Sequence, residues 1–418
     1  MTVHAAGFIP EHAPFTPPVA HFRFSKVHRT EMPDPHKLLP SKTVRIDAGR
    51  FEQSPFFEFY ANPDTLLGVA ANRYFADDNG EDTEETYWAL RQKAVLFDVP
   101  EKPWQIEGPD ALPFLERIFA RSIDTLAQGR GRYAIACTAD GGIFMDGILF
   151  KLAANRYWYV QPDGALEEWL VAHKDGFDVT ISDPNSRVLQ IQGPNALKVM
   201  SSASNGAIDE NMKYFGAGFF DIGGQKLYVS RTGWTGELGY EIYCDGARTD
   251  YRRLWDDLFA SGFAHGMVFG SLKAMGIRRI EAGILDNLSD FDRSITPFEA
   301  GLGAFIDLNK TDFIGKSALL EADRQSLIHG IKCPSARPYY GAEITDGQAR
   351  VGRVTASAWS PYLACGIGYV RFNQADDWVG KSLLMRTQQG QLASCEIVAL
   401  PFYDAEKRIP RDLQAADD

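Results

Sequence analysis

The segment RTGWTGELGYEIYCDG, at residues 231–246, constrains the fold more than any other stretch of this chain. The Tyr-Glu-Ile-Tyr run within it alternates with a period of two, which is typical of a β-strand. Glycines adopt positive φ angles or allow close backbone approach, and the segment contains four of them: Gly233, Gly236, Gly239 and Gly246. We therefore predict a strand, a tight glycine turn and a second strand.

Trp234 and Glu241 lie on either side of this predicted turn. An aromatic ring and a carboxylate at one rigid bend suit a flat, nitrogen-rich heterocycle, because the ring can stack and the carboxylate accepts N–H hydrogen bonds. The alternative is an ordinary glycine-rich hairpin without a ligand, and turn statistics leave the two interpretations about even.

Length, charge and cysteine spacing narrow the class of protein. A chain of 418 residues is long for one core, so we expect two or three domains. The net charge of −12 argues against nucleic acid as a partner. The five cysteines lack any CxxC spacing and the histidines lack ligand spacing, so reduced thiols are expected and no metal site. Without a signal peptide or a long apolar run, we expect a soluble, cytoplasmic protein with no membrane partner.

The chain divides into three parts by composition. Residues 1–55 are rich in proline and histidine and poor in periodicity, which predicts an extended N-terminal arm. In residues 56–325 a strand, a Gly-Pro pair and an amphipathic helix occur twice, around 108 and around 193, which suggests two related α/β subdomains. Short strands broken by glycine and proline follow in residues 326–418 and indicate a small β-barrel.

Asp146 is the strongest candidate for a catalytic residue. It follows a double-glycine turn in GGIFMDGILF, among apolar neighbours. Burying a lone carboxylate is costly unless it is paired or meets a ligand, so this position favours a functional role. The alternative is a carboxylate that reaches solvent at the edge of a sheet.

Five segments, taken in order, resemble the glycine-cleavage T-protein (aminomethyltransferase) superfamily, which binds tetrahydrofolate. The resemblance covers about residues 57 to 405. The segments are YAIACTADGGIFMDGILFKL (133–152), the glycine segment already described (231–246), IRRIEAGIL (277–285), TPFEAGLGAFIDLNKTDFIGKSAL (296–319) and VGRVTASAWSPYLACGIGYV (351–370).

The resemblance implies an α+β multidomain fold. Two related α/β subdomains would surround a central folate pocket, and a small β-barrel would form the C-terminal domain. Residues 56–325 would then be the folate-binding domain and residues 326–418 the barrel domain.

The resemblance also implies roles for single residues, with tetrahydrofolate as the cofactor. Asp146 matches the family's catalytic acid, and Tyr133 matches a folate-site tyrosine, although a half-buried strand aromatic explains Tyr133 equally well. Glu241 would contact the pterin, and Trp234 stands where the family generally carries tyrosine. Arg279 matches an arginine that could hold a carboxylate in its planar fork, the alternative being a salt bridge with Glu281 or Glu241.

Two departures from the family pattern bear on the donor. The family usually carries two acids in a row where this chain has Met145 and Asp146, and residues 100–103 read Pro-Glu-Lys-Pro in place of the family's sequence. Both changes argue against an aminomethyl-lipoyl carrier protein as partner. The MDGILF and IQGP segments and the N-terminal extension resemble the tetrahydrofolate-dependent demethylase branch, whose members include vanillate-type O-demethylases and dimethylsulfoniopropionate demethylase.

The expected function is therefore that of a demethylase. It would move a methyl group from a small O-, S- or N-methyl donor to N5 of tetrahydrofolate, mainly by positioning the two reactants. Two alternatives stay open: the aminomethyltransferase of glycine cleavage, and a non-catalytic folate-binding protein. The sequence indicates neither the donor nor the oligomeric state.

Overall fold

A computed structural model describes residues 49–413, so residues 1–48 of the predicted arm lie outside the described residues. The helices are α1 (Phe57–Tyr60), α2 (Thr83–Gln92), α3 (Ala111–Ile118), α4 (Leu166–His173), α5 (Ala196–Ala203), α6 (Tyr251–Phe263), α7 (Leu272–Glu281), α8 (Lys316–Glu321) and α9 (Arg408–Arg411). The strands are β1 (Leu66–Ala70), β2 (Arg73–Asp78), β3 (Ala94–Val99), β4 (Lys102–Glu107), β5 (Gly131–Cys137), β6 (Ile143–Ala153), β7 (Arg156–Gln161), β8 (Thr180–Ser182), β9 (Arg187–Gln192), β10 (Ala217–Ile222), β11 (Gln225–Ser230), β12 (Gly239–Cys244), β13 (Met267–Phe269), β14 (Ile328–Cys333), β15 (Glu343–Thr345), β16 (Arg350–Ser360), β17 (Cys365–Phe372), β18 (Ser382–Arg386) and β19 (Leu392–Val398).

Two large sheets form the body of the fold. One has six strands in the order β10-β11-β12-β9-β3-β13, antiparallel except for the parallel pair of β13 and β3. The other has five antiparallel strands in the order β5-β6-β7-β4-β8. Helices α1, α5 and α6 pack on the outer face of the first sheet, and α3 and α4 pack on the outer face of the second.

The inner faces of the two sheets meet in an aromatic layer. Phe150 and Trp158 of the five-stranded sheet pack edge-on against Tyr228 and Tyr243 of the six-stranded sheet, with ring centroids 5.5 to 6.0 Å apart. Side chains alternate along each strand, so every second residue of β6 and β12 points into this layer. The layer therefore determines which polar side chains end up between the sheets.

The predicted repeat of strand, Gly-Pro pair and helix is confirmed, once in each sheet. Gly108 separates β4 from α3, and Gly193 separates β9 from α5. Both glycines have positive φ, 149° and 124°. A Cβ atom would lie 2.2 Å from the Asp178 carbonyl oxygen at the first position and 2.6 Å from the Lys93 carbonyl oxygen at the second. Only glycine fits both turns.

The C-terminal part forms the predicted small barrel. Its six strands close in the order β14-β17-β16-β15-β18-β19, with Ile331, Val354, Val370, Met385 and Ile397 in its buried interior. The mixed α/β fold followed by a barrel agrees with the expected fold class. Within residues 49–413, no helix has the length and apolar character needed to cross a bilayer.

The tight glycine turn predicted at residues 231–246 is wrong in detail. Strands β11 and β12 pair antiparallel as expected, but the connection between them covers residues 231–238. Of the segment's four glycines only Gly236 has positive φ, at 69°. Gly233 and Gly239 are needed for space, because a Cβ atom at either position would lie 2.1 Å from the Gln192 side-chain oxygen.

Candidate active site

Asp146 lies in β6 and its side chain is buried between the two sheets. It is 8% exposed, and β6 is flanked by β5 and β7, so the alternative of a solvent-reaching edge carboxylate is wrong. Tyr133 donates its hydroxyl to Asp146 Oδ2 at 2.9 Å, whereas Oδ1 is buried without a partner among the described residues. A buried carboxylate oxygen with no donor is costly and points to a site that a ligand completes.

The environment of Asp146 shifts its ionisation toward neutral pH. Burial raises the pKa of this carboxyl to about 7, the Tyr133 hydrogen bond lowers it, and the nearby charge of Asp286 raises it again. A carboxyl with a pKa near the working pH can accept or hold a proton during a reaction. Burial also raises the pKa of Tyr133 well above its ordinary value, so its hydroxyl stays a donor.

Tyr133 is half-buried, as either interpretation of the sequence required. Its ring meets Phe305 edge-on, with ring centroids 4.7 Å apart, and its backbone oxygen accepts a hydrogen bond from Arg121 at 3.2 Å. The hydroxyl contact with Asp146 is a reason for this residue beyond packing, although a role toward folate stays a prediction.

Trp234 and Arg279 are in direct contact. The Arg279 guanidinium lies over the Trp234 ring, 5.0 Å from its centroid, which is a cation–π arrangement. That contact occupies one face of the ring, so a ligand can stack on the opposite face alone. Whether Trp234 stacks on a pterin stays a prediction.

Arg279 is balanced by carboxylates, but not by the ones that the sequence suggested. Its Nη1 atom donates to Asp290 Oδ2 at 2.8 Å, and Nη2 lies 4.0 Å from Asp286 Oδ2. The predicted partners Glu281 and Glu241 are wrong, because Glu281 binds Arg91 and Arg278 instead. Asp290 is fully buried, so the guanidinium is committed to it and is less free to hold a substrate carboxylate.

Glu241 sits in β12 within a dense hydrogen-bond network. Its Oε2 atom accepts from Tyr243 at 2.6 Å and from Thr232 at 2.7 Å, while Oε1 accepts from the Gln190 side-chain amide at 3.1 Å. Burial raises the pKa of Glu241. A carboxylate oxygen accepts about two hydrogen bonds. Oε1 therefore keeps room for one further donor, and a pterin N–H could be that donor.

Glu101 is a site residue that the sequence analysis did not single out. Both of its carboxylate oxygens accept from the Gln190 amide, at 2.9 and 3.1 Å, so one amide bridges Glu101 and Glu241. Burial and the charge of Glu241 raise the pKa of Glu101 well above its usual range. The Pro-Glu-Lys-Pro replacement at residues 100–103 was the sequence feature that could have identified Glu101. It indicated an altered segment but not that Glu101 lies beside Glu241.

Asp286 and Asn287 were missed as well. The Asp286 carboxylate interacts electrostatically with both Asp146 and Arg279, and it links the Tyr133–Asp146 pair to the Trp234–Arg279 pair. The Asn287 amide nitrogen lies 3.6 Å from the Met145 sulfur, and its oxygen is buried without a partner among the described residues. The acidic run after α7 was the available signal for both.

Of the five candidate residues, the structure thus joins four through direct contacts and Asp286, while Glu241 belongs to the adjoining network with Gln190 and Glu101. The unpartnered oxygens of Asp146, Gln190 and Asn287 can accept the N–H groups of a pterin, so the donor and acceptor pattern fits tetrahydrofolate. These three buried oxygens are acceptors that the N–H groups of a nitrogen-rich ring can satisfy.

Comparison with known proteins identifies the same family as the sequence resemblance, and it does so over most of the chain. The sequence model of the GCVT N-terminal domain matches residues 46–310, and that of the glycine cleavage T-protein C-terminal barrel domain matches residues 328–404. An aminomethyltransferase from Bacillus subtilis (strain 168) is 30% identical over 75% of this chain and 89% of its own length. One from Geobacillus sp. (strain WCH70) is 32% identical over 78% of this chain and 91% of its own length.

A relative with a different name and a solved structure complete the comparison. The trimethylamine-oxide aldolase of Ruegeria pomeroyi is 31% identical over 78% of this chain, which corresponds to 44% of its own length. The crystal structure of the glycine cleavage system aminomethyltransferase T from Bartonella henselae superposes with a TM-score of 0.76 at 24% identity. It covers 85% of this chain and 98% of that protein, and at this identity the likeness concerns the fold.

Proposed function

Because the chain belongs to the glycine cleavage T-protein family, an enzyme family of tetrahydrofolate-dependent one-carbon transferases, we propose that its site moves a one-carbon unit from a donor to N5 of tetrahydrofolate. The observation that carries the proposal is Asp146, a buried carboxyl with one oxygen held by Tyr133 and the other without a partner among the described residues.

Each residue of the site has a task in this proposal. Tetrahydrofolate, when bound, supplies the nucleophilic nitrogen that receives the carbon. Asp146 orients that nitrogen through its Oδ1 atom and holds the proton that leaves it, which its pKa of about 7 permits. Glu241 accepts a pterin N–H at Oε1, and Tyr133 keeps Asp146 in a single orientation. Catalysis is then mainly positioning in a site that excludes water.

The relatives favour aminomethyl transfer over demethylation. The aminomethyltransferases cover three quarters of this chain, and none of the relatives described above is named a demethylase. These relatives therefore support the alternative of the sequence analysis better than its main expectation. They are named as enzymes, which does not favour a non-catalytic folate-binding protein.

Methyl transfer from a small donor remains the second candidate, because two features of the site depart from the family pattern. Met145 replaces one of two successive acids and is 1% exposed. Glu101, from the altered Pro-Glu-Lys-Pro segment, is bridged to Glu241 beside the proposed pterin position. Met145 packs on the face of β6 that carries α3 and α4, opposite to Asp146, so Glu101 is the feature that changes the charge beside the proposed pterin position.

The test is an identification of the product. The full chain is incubated with tetrahydrofolate and either aminomethylated lipoyl carrier protein or a panel of small N-, S- and O-methyl donors. Mass spectrometry then distinguishes 5,10-methylene-tetrahydrofolate, expected for aminomethyl transfer, from 5-methyl-tetrahydrofolate, expected for methyl transfer. Formation of neither product, with no saturable folate binding, would contradict the proposed function.

The matched variant is Asp146→Asn, which keeps the shape of the side chain and removes its charge. We expect turnover to fall on the order of a hundredfold while folate affinity changes little. Asp140→Asn is the control, because Asp140 is exposed in the turn before β6 and contacts Thr138 rather than Asp146. Equal turnover of the wild-type protein and Asp146→Asn would assign Asp146 a structural role.

A further inference from the structure

Glu101 and Glu241 form a pair of carboxylates at the place where the chain passes from one sheet to the other. Glu241 lies in β12, directly opposite Gln190 of β9. Glu101 follows β3 in the short connection to β4, which carries the chain from the six-stranded to the five-stranded sheet. The Gln190 amide nitrogen donates to Glu241 Oε1 at 3.1 Å and to the two Glu101 oxygens at 2.9 and 3.1 Å. One amide therefore holds both carboxylates side by side.

Within residues 49–413, no lysine, arginine or histidine forms an ion pair with either of these carboxylates. Lys102, the next residue after Glu101, pairs with Asp183 at 2.7 Å instead. Arg73 donates to the backbone carbonyl of Glu101 at 2.8 Å, and its charge pairs with Glu52 at 3.3 Å. Both cations beside Glu101 thus have other acids as partners, so the carboxylate pair keeps its capacity to accept hydrogen bonds.

The donors of this network are already in use, whereas several of its acceptors are not. The Gln190 amide nitrogen has two hydrogens and donates to the two carboxylates, and the Tyr243 and Thr232 hydroxyls donate to Glu241 Oε2. Gln190 is 0% exposed, and its Oε1 atom has no partner among the described residues. A carboxylate accepts about four hydrogen bonds, so Glu101 has room for about two more. Because buried acceptors without donors are costly, the arrangement suits a ligand with several N–H groups on one edge.

Glu101 is the more accessible member of the pair. It is half-buried, whereas Glu241 is 5% exposed. Burial and the charge of Glu241 raise the pKa of Glu101 well above its usual range. Hydrogen bonds donated to a carboxylate favour its charged form. An N–H group of a ligand at Glu101 would therefore stabilise the charge that the surroundings disfavour, whereas an acceptor atom at the same place offers no such compensation.

We propose that Glu101 determines the specificity of the site for the oxidation state of the pterin, because it accepts the N8–H group that dihydrofolate and tetrahydrofolate carry and fully oxidised folate lacks. Glu241 and the Gln190 oxygen then accept from N3–H and the 2-amino group on the adjoining edge of the ring. In fully oxidised folate N8 is itself an acceptor, so Glu101 is left without a donor. This inference rests on the proposed function, since it requires the pterin ring beside Glu241.

The experiment measures the affinity of the full chain for tetrahydrofolate, 7,8-dihydrofolate and folic acid, all as monoglutamates, by titration calorimetry without oxygen. Tetrahydrofolate has N–H groups at N5 and N8, dihydrofolate has one at N8 alone, and folic acid has neither. The ratio of the affinities for dihydrofolate and folic acid therefore reports on the contact with N8–H, apart from any contact at N5. We expect dihydrofolate to bind at least about tenfold more tightly than folic acid.

Two variants of Glu101 assign this ratio to the carboxylate. In Glu101→Gln the amide can accept from N8–H or donate to the bare N8 atom, so the ratio should fall to less than about threefold. Glu101→Ala should weaken binding of dihydrofolate by about five- to tenfold and change that of folic acid by less than about twofold. Glu107→Gln is the matched control, since Glu107 is exposed at the end of β4 and should leave the ratio unchanged. Thermal unfolding verifies that each variant is folded.

The outcomes separate this inference from the proposed function. Equal affinity of the wild-type protein for dihydrofolate and folic acid, or an unchanged ratio in both Glu101 variants, overturns the role of Glu101 and leaves the proposed function standing. Equally weakened binding of all three folates in the variants shows that Glu101 only shapes the pocket, which also overturns the inference. Absence of saturable binding of all three folates to the wild-type protein contradicts the proposed function itself.

Discussion

At the scale of single residues, Asp146 shows how a folded chain can hold a carboxyl in an unfavourable state. Its pKa is raised to about 7 from an ordinary value near 3.8, first by burial and then by the charge of Asp286. The folded state therefore prefers the protonated form, and ionisation at neutral pH costs stability. In return for this loss of stability, the site contains a carboxyl whose charge can change during a reaction.

We predict that Asp146→Asn stabilises the protein in a pH-dependent manner. Because the folded pKa is raised, the penalty is absent below about pH 4, grows between about pH 4 and pH 7, and is complete above pH 7. The melting temperature of the variant should exceed that of the wild type by a few degrees at pH 8 and equal it near pH 4. Differential scanning calorimetry between pH 4 and pH 8 measures this difference in melting temperature.

Asp140→Asn is the control for this prediction, because the pKa of Asp140 is shifted in the opposite direction from that of Asp146. Hydrogen bonds, first of all from Thr138, lower the pKa of Asp140, so its stabilising contribution exists at neutral pH and disappears as pH falls through that pKa. This variant should therefore gain nothing at pH 8. A pH-independent difference between Asp146→Asn and the wild type would show that the Asp146 carboxyl is not perturbed by burial.

At the scale of elements, strands β6 and β7 come unusually close to each other at Gly147, the residue that follows Asp146. A Cβ atom on Gly147 would lie 2.3 Å from the Val160 carbonyl oxygen of β7. That distance is far below ordinary contact, and the obstacle is backbone that cannot rotate away. Gly147 therefore sets the spacing of β6 and β7 beside the site.

We predict that Gly147→Ala destabilises the fold by about 1–3 kcal/mol through overpacking and lowers activity, because the strand that holds Asp146 must shift. Gly276→Ala in α7 is the matched control, since a Cβ atom there would meet no other atom within 4 Å and alanine favours helix. That variant should stabilise the protein by about 0.5–1 kcal/mol. Denaturant unfolding compares the two, and an equal effect of both would contradict the argument from spacing.

At the scale of the whole molecule, Glu281 connects the body to the barrel. It is fully buried and accepts hydrogen bonds from Tyr87 of α2, Ser360 of β16 and Tyr403 near the C-terminus. Arg91 lies 3.5 Å from the same carboxylate. One side chain thus ties α2, α7 and the barrel together.

We predict that Glu281→Gln destabilises the protein by about 3 kcal/mol, because Arg91 and Arg278 are then left with Glu237 as their one carboxylate partner among the described residues, so one buried positive charge loses its counter-charge. Glu321→Gln, at the exposed end of α8, should change stability by less than about 0.5 kcal/mol. Thermal unfolding followed by near-ultraviolet circular dichroism tests this. A Glu281→Gln protein as stable as Glu321→Gln would show that the barrel docks through its apolar contacts alone.

Local pattern in the sequence was sufficient for much of the architecture. The repeat around Gly108 and Gly193, the strands on either side of residues 231–238 and the small barrel all follow from periodicities and glycine positions within a few residues. The apolar surroundings of Asp146 likewise indicated its burial. Such features depend on short-range sterics and on alternation, which a single sequence records directly.

The tertiary structure alone decided which charged groups meet. Arg279 binds Asp290 rather than Glu281, and Glu101 and Glu241 share the Gln190 amide. The position of a charged residue in the sequence does not indicate its partner, and many pairings are compatible with the same helices and strands. The packing of the two sheets selects one of them, because it determines which side chains leave water together and must therefore satisfy one another.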